Sequence, residues 1–283
     1  MKAEQLTEAC AEHGEGPVWS PSWGGLRWVD MLAGDMLALR EDGTVARRHL
    51  GTVLAALRPR ADGGMVIALE RQFALAERGD AELRPLGELW TDPAIRFNDG
   101  GCDPQGRFYC GSMAYASSFG AGCLYRLDPD GTARAVLRGV TVSNGMAWSP
   151  DGGTAYYIDT ATHRIDAFDH DPDRGLSGRR PLVSLDEAAG LLDGLAVDAE
   201  GHLWVALFGG GAVHRYQPSG SLDAKIDLPV RQVTACTFGG PRLDQLFITT
   251  SRLGLGPAAE PGAGAVFRAD VGVAGLPVTA FAG

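Results

Sequence analysis

The 283-residue chain has no apolar run approaching the roughly 20 residues a membrane-spanning helix needs. Its opening residues, MKAEQLTEACAEHGEG, lack the apolar middle of a secretion signal. A cytoplasmic location with no membrane partner is therefore expected. The five cysteines, Cys10, Cys102, Cys110, Cys123 and Cys236, lie far apart and form no C-x-x-C pair, so they read as reduced thiols in or beside strands. No two of the six histidines stand four apart, which removes the helical zinc site. Long amphipathic helical patterns are missing, with SLDEAAGLL (184–192) offering at most a single turn. Positive charge is in deficit as well: 25 basic against 35 acidic residues leave a formal charge of −10, so a nucleic-acid backbone or an anionic membrane surface would not be attracted.

What is abundant is a repeat. The segments WSPSWGGLRWVDM (19–31), RPRADGGMVIALE (58–70), CDPQGRFYCGSM (102–113), WSPDGGTAYYIDT (148–160), VDAEGHLWVAL (197–207) and FGGPRLDQLFITT (238–250) each join a short apolar strand, a Gly- or Asp-bearing turn and a second β-rich strand. They recur at roughly 40 to 50 residues, the period of a propeller blade. A third strand-like segment follows each hairpin and a fourth usually does. The prediction is an all-β fold, a six-bladed β-propeller of four-stranded antiparallel blades, as one domain over residues 1–283. The last blade lacks a fourth strand of its own, so QLTEACA (5–11) is expected to complete it and close the ring.

Aligned on itself, the chain presents Glu15, Ala55, Asn98, Asn144, Asp193 and Thr234 five residues before each turn-opening position. The first strand of each blade lines the central channel, so Glu15, Asn98, Asn144 and Asp193 should converge at one depth. Two carboxylates meeting there repel unless a cation lies between them. An oxygen-only set suits calcium, magnesium or manganese, and zinc and iron stay open. The plainer reading is that Asn-Gly and Asp-Gly pairs merely form turns, but Glu15 is a poor turn former in the same slot.

The motifs E-G-P-V-W (15–19), R-F-N-D-G (96–100) with D-P-Q-G-R-F-Y-C-G-S-M (103–113), S-N-G-M-A-W-S-P-D-G (143–152) and L-D-G-L-A-V-D-A-E-G-H-L-W-V-A-L (192–207) together resemble the family of gluconolactonase, regucalcin and luciferin-regenerating enzyme. The resemblance spans essentially the whole chain. It implies one divalent metal, calcium first, held by Glu15, Asn144 and Asp193, and a lactone substrate contacted by Arg96 and Asn98. It further implies that Ala116 stands where regucalcin-like members carry a substrate-contacting Glu.

The implied reaction is metal-dependent hydrolysis of a lactone, most simply a sugar aldonolactone, with Asp193 as the base. The lack of a G-x-S-x-G elbow agrees with a route that needs no serine nucleophile. Two alternatives remain open at this point: a non-catalytic calcium- or ligand-binding propeller, and a hydrolase of a non-sugar cyclic ester under the weakly polar loop AYASSFGAG (114–122).

Overall fold

The structure is a computed structural model that describes residues 1–78, 81–256 and 260–283. Six four-stranded antiparallel sheets form the six blades of a propeller, as the repeat predicts. Their innermost strands are Gly14–Ser20, Leu54–Pro59, Ile95–Cys102, Ser143–Trp148, Leu191–Val197 and Val233–Gly239. Blades are numbered one to six in that order. The innermost strands are covered on both faces, so Val233–Gly239 is buried at every position. Outer strands such as Ala133–Val140 mostly alternate partly buried and exposed residues, as a sheet with one wet face requires. Aromatic side chains fill the wedges between blades: Phe97 of blade three lies 4.7 Å from Phe73 of blade two, and Trp19 of blade one stacks on Phe247 of blade six at 5.3 Å.

The turn-opening residues of the repeat have a shared task. Asp103 Oδ1 accepts from the backbone N–H groups of Gln105 and Arg107, and Asp198 Oδ1 accepts from those of Glu200 and His202. Such side-chain-to-backbone bonds close the hairpin turn locally. The segment 184–192 holds one 3-10 turn, Glu187–Ala189, capped by Asp186. Three further 3-10 turns, Pro21–Trp23, Met31–Ala33 and Thr160–Thr162, were not legible in the hydrophobic pattern. No helix among the described residues is long and apolar enough to cross a membrane.

Each innermost strand carries a bulge where the repeat places its ring residue. The pairing register skips Ala55, Asn98 and Asp99, Asn144 and Gly145, Asp193 and Gly194, and Thr234. In blade one it skips Gly16 and Pro17, one position later. A bulge leaves residues outside the ladder and re-aims their side chains, here toward the axis. Gly145 and Gly194 follow their ring residues because the inner strands approach closely: a Cβ on Gly145 would lie 2.6 Å from the Leu195 nitrogen, and one on Gly194 2.4 Å from Ala235 Cβ.

The N-terminal segment closes the ring. Glu4–Gln5 pairs antiparallel with Val266–Asp270 as the outer strand of blade six, and the Leu6 N–H donates to the Val266 carbonyl at 2.8 Å. Thr7 Oγ1 accepts from the Val266 N–H at 3.0 Å. Deleting residues 1–7 would strip these bonds and bare a sheet edge. At ~1 kcal/mol each, their loss should lower the thermal midpoint by about 5–10 °C. An unchanged midpoint in a melting curve would show that the blade is closed by other means.

Candidate active site

Glu15, Asn98, Asn144 and Asp193 are all buried, and the structure brings them together with Arg96 at one end of the channel. Asn144 Nδ2 donates to Thr160 Oγ1 at 2.8 Å, and the Thr160 hydroxyl donates onward to the Leu192 carbonyl at 2.8 Å. With its proton committed, Thr160 can only accept from Asn144, so the amide oxygen is turned into the channel. That oxygen receives Asn98 Nδ2 at 2.9 Å. Asn98 also donates to the Ser143 carbonyl at 2.8 Å and accepts from Arg96 Nη1 at 2.6 Å. Both amides are therefore oriented by neighbours before any ligand arrives. Arg96 spends Nη1 on Asn98 and on the Phe97 carbonyl, while its buried Nε has no partner.

A residue that the sequence reading passed over completes the electrostatics. Asp99 occupies the position that is Gly or Ala in the other blades, and its buried carboxylate lies within reach of Glu15, Asp193 and Arg58. Its signal is the Asp of N-D-G, an acid where the other blades have Gly or Ala. Burial, then the charge of Asp99, pushes Glu15 up to about 8, against the opposing pull of the Gly16 N–H and Arg96. Burial, then Glu15 and Asp99, drives Asp193 well above the usual carboxylate range. Burial also raises Asp99, offset in part by Arg58 and the Gly100 N–H. Glu15 and Asp193, which destabilise each other, and the amide oxygen of Asn144 are donors of the kind a hard divalent cation takes, and Asp99 adds negative charge beside them.

Other carboxylates serve as clamps. Asp30 Oδ1 accepts from the N–H groups of Glu12 and His13, and Asp159 accepts from those of Thr141 and Val142. Each thus fixes the chain just ahead of a ring residue. The grouping Asp198, Glu200 and His202 also gathers possible metal donors. It already holds a cation, since Arg215 donates to Asp198 at 2.7 Å and to Glu200 at 2.6 Å.

The loop after Phe108–Ala114 approaches the mouth through Tyr115. The Arg96 guanidinium carbon lies 5.6 Å from the centre of the Tyr115 ring, and the Tyr115 hydroxyl donates to Glu70 at 2.6 Å. Ala116 is exposed on the following turn. Glu70, from blade two, thus holds the Tyr115 ring that lies against Arg96. His13, beside Arg96, is lowered to about 4 by burial first and then by the Arg96 charge, and its ring is neutral at physiological pH.

Residues 13–252 match the SMP-30/Gluconolactonase/LRE-like region. The chain is 34% identical to regucalcin of Danio rerio, over 100% of this chain and 99% of that one. It is 35% identical to a pentonolactonase of Haloferax volcanii, over 98% and 97% of the two chains. Among solved structures, a calcium-binding regucalcin from Agrobacterium tumefaciens superposes with a TM-score of 0.93 at 29% identity, covering 99% of this chain and 98% of the other. The chain belongs to this SMP-30/gluconolactonase family.

The carboxylate repulsion has a measurable consequence. A carboxyl raised in the folded state holds more protons there than in the unfolded chain between its ordinary value and its raised one, so stability falls as pH rises through that window. For Glu15 the window runs from 4.5 to about 8, and Asp99 and Asp193 act in the same direction. In chelator, the melting temperature should therefore drop between pH 5.5 and pH 8. Added calcium should remove the drop by holding the ionised forms. A chelated melting temperature that is flat across this range would contradict the repulsion.

Proposed function

We propose that this chain, as a member of the SMP-30/gluconolactonase family, is a divalent-metal-dependent lactonase that opens a sugar lactone to its hydroxy acid. The observation that carries the reading is the convergence of Glu15, Asn144 and Asp193 on one space in which carboxylates are unstable alone, beside an Arg96 Nε with no partner. Glu15, Asn144 and Asp193 would hold the ion, with calcium first for an all-oxygen set and magnesium, manganese, zinc or iron as the other candidates. When bound, such an ion polarises a carbonyl and favours the oxyanion formed as water adds.

This chain's residues supply the rest. Asp193 accepts the proton of the attacking water and returns it to the ring oxygen as the ester bond breaks. Arg96 offers Nε to a lactone oxygen, while Asn98 keeps both Arg96 and the Asn144 amide in register. The name of the Haloferax volcanii relative, a pentonolactonase, supports a sugar lactone. A second reading, a non-sugar lactone, is favoured by Phe119, which is 94% exposed on the loop beside Tyr115 and could roof a less polar substrate.

Two substitutions test the division of labour, read by lactone hydrolysis with metals added back singly after chelation. Asn98→Ala removes none of the three proposed ligands, and Asn144 stays anchored by Thr160, so the change should cost about 1–3 kcal/mol of transition-state stabilisation chiefly through the loosened Arg96. Asp193→Asn should stay slow even at saturating metal, because occupancy is restored and the base is not. Recovery of the full rate by excess metal would reduce Asp193 to a ligand.

A further inference from the structure

We infer that His13 is a substrate-recognition residue, offering its free ring nitrogen to a hydroxyl group of a polyhydroxylated lactone one layer above the carboxylate ring. The inference rests on the lactonase reading of the same channel mouth and adds what that mouth selects.

The placement follows from the repeat. Two residues before each ring position stand His13, Val53, Arg96, Val142, Leu191 and Gln232. Arg96 and Leu191 lie on their strands two residues from the ring position and so share its face, and His13, Val53, Val142 and Gln232 each immediately precede the strand, so these six form a second layer toward the mouth. Arg96 shows that the layer faces the site, since it reaches Asn98 directly. Four of the six are nearer solvent than the ring beneath: His13, Val142, Leu191 and Gln232 are half-buried, while Val53 and Arg96 are buried like the ring.

His13 is held so that one nitrogen stays free. Its Nδ1 lies 2.8 Å from Ser251 Oγ, its backbone N–H donates to Asp30 Oδ1 at 3.0 Å, and its backbone bridges to Ser251 of blade six. Nε2 has no protein partner, and it is not among the buried polar atoms left without one, so solvent reaches it. A histidine kept only for packing or for tying blades one and six together would not need an anchored ring with an open nitrogen. Its neighbour Gln232, whose carbonyl accepts from the Ser251 N–H at 2.9 Å, has a buried Oε1 that is likewise unpaired.

Around the mouth, unused hydrogen-bonding capacity therefore sits on blades six, one and three, at Gln232, His13 and Arg96. Blades four and five present Val142 and Leu191, and blade two the buried Val53 between the polar positions of blades one and three. This division suits a lactone ring with hydroxyls along one edge and a carbon face on the other. A lactone without hydroxyls would leave the polar half unsatisfied, and a site built to bind a hydroxyl discriminates against the analogue lacking it.

The test compares glucono-1,5-lactone with δ-valerolactone, the same ring without hydroxyls, in metal-loaded enzyme. His13→Leu should lose about tenfold in kcat/KM on the hydroxylated lactone, chiefly through KM, while δ-valerolactone changes by less than about twofold. His13→Gln, which keeps a hydrogen-bonding group, should recover most of the loss, and Ser251→Ala, which frees the ring, should fall between. Calcium affinity by calorimetry should be unchanged throughout, separating recognition from damage to the ring below. Equal losses on both lactones, or none on either, would overturn the role of His13 and leave the lactonase reading standing. A wild-type protein inactive on every lactone with every metal would remove that reading and this inference with it. Should His13→Leu fail to fold, the Gln and Ser251→Ala variants give the same comparison.

Discussion

Glu15, Asp99 and Asp193 come from blades one, three and five, and each is carried on a strand paired into a four-stranded sheet. None can retreat from the others without breaking its ladder. Unit charges about 5 Å apart repel by ~3 kcal/mol even at an effective dielectric of 20, so the ionised ring is costly. The surroundings offset part of that cost: N–H groups of Gly16, Gly100 and Gly194 point at the three carboxylates, and Arg58 and Arg96 stand on either side of the ring. Closed architecture thus stores a demand for positive charge at one fixed place, and the amides of Asn98 and Asn144 are tuned to the same place.

The clamps explain how the demand is kept at that place. Asp30 and Asp159 are also buried carboxylates, and each accepts two backbone N–H groups, with Arg47 beside Asp30 as well. They tie the chain ahead of Glu15 and of Asn144, so the bulged residues project from anchored backbone. Thr160 performs the matching task for the Asn144 side chain from a 3-10 turn. Buried acids thereby divide into those that each tie two backbone N–H groups, which anchor the chain, and those of the ring, which receive one N–H each and face one another.

That division marks how far the sequence could be read. The propeller and the convergence of Glu15, Asn98, Asn144 and Asp193 were legible because a repeat lets a chain be aligned on itself, and equal positions in equal blades must share a depth. The closing strand was legible from the short count in blade six. The bulges were not, since a period-two pattern carries no sign of two residues facing one. Asp99 was visible in N-D-G but looked like turn chemistry, and only the structure shows its carboxylate acting on Glu15. Thr160, Asp30 and Glu70 act through partners distant in the chain, which no local pattern encodes. At the start of the loop that carries Ala116, the neighbouring Tyr115 makes the contact with Arg96, a cation–ring pairing that no local pattern announces.

The same layering separates what the fold dictates from what this chain chooses. At the ring, geometry leaves little freedom, because a Cβ cannot be added beside Asn144 or Asp193 without collision and the oxygens must face the axis. One layer higher the side chains are half-buried, the strands are only beginning to pair, and a residue such as His13 or Gln232 can change without disturbing the ladder below. On the proposed lactonase reading, the demand for a cation therefore belongs to the ring that the fold fixes, and selection among lactones to the layer above it and to the Tyr115 loop. A substitution in the lower layer should alter every substrate alike, whereas one in the upper layer should alter their ratio.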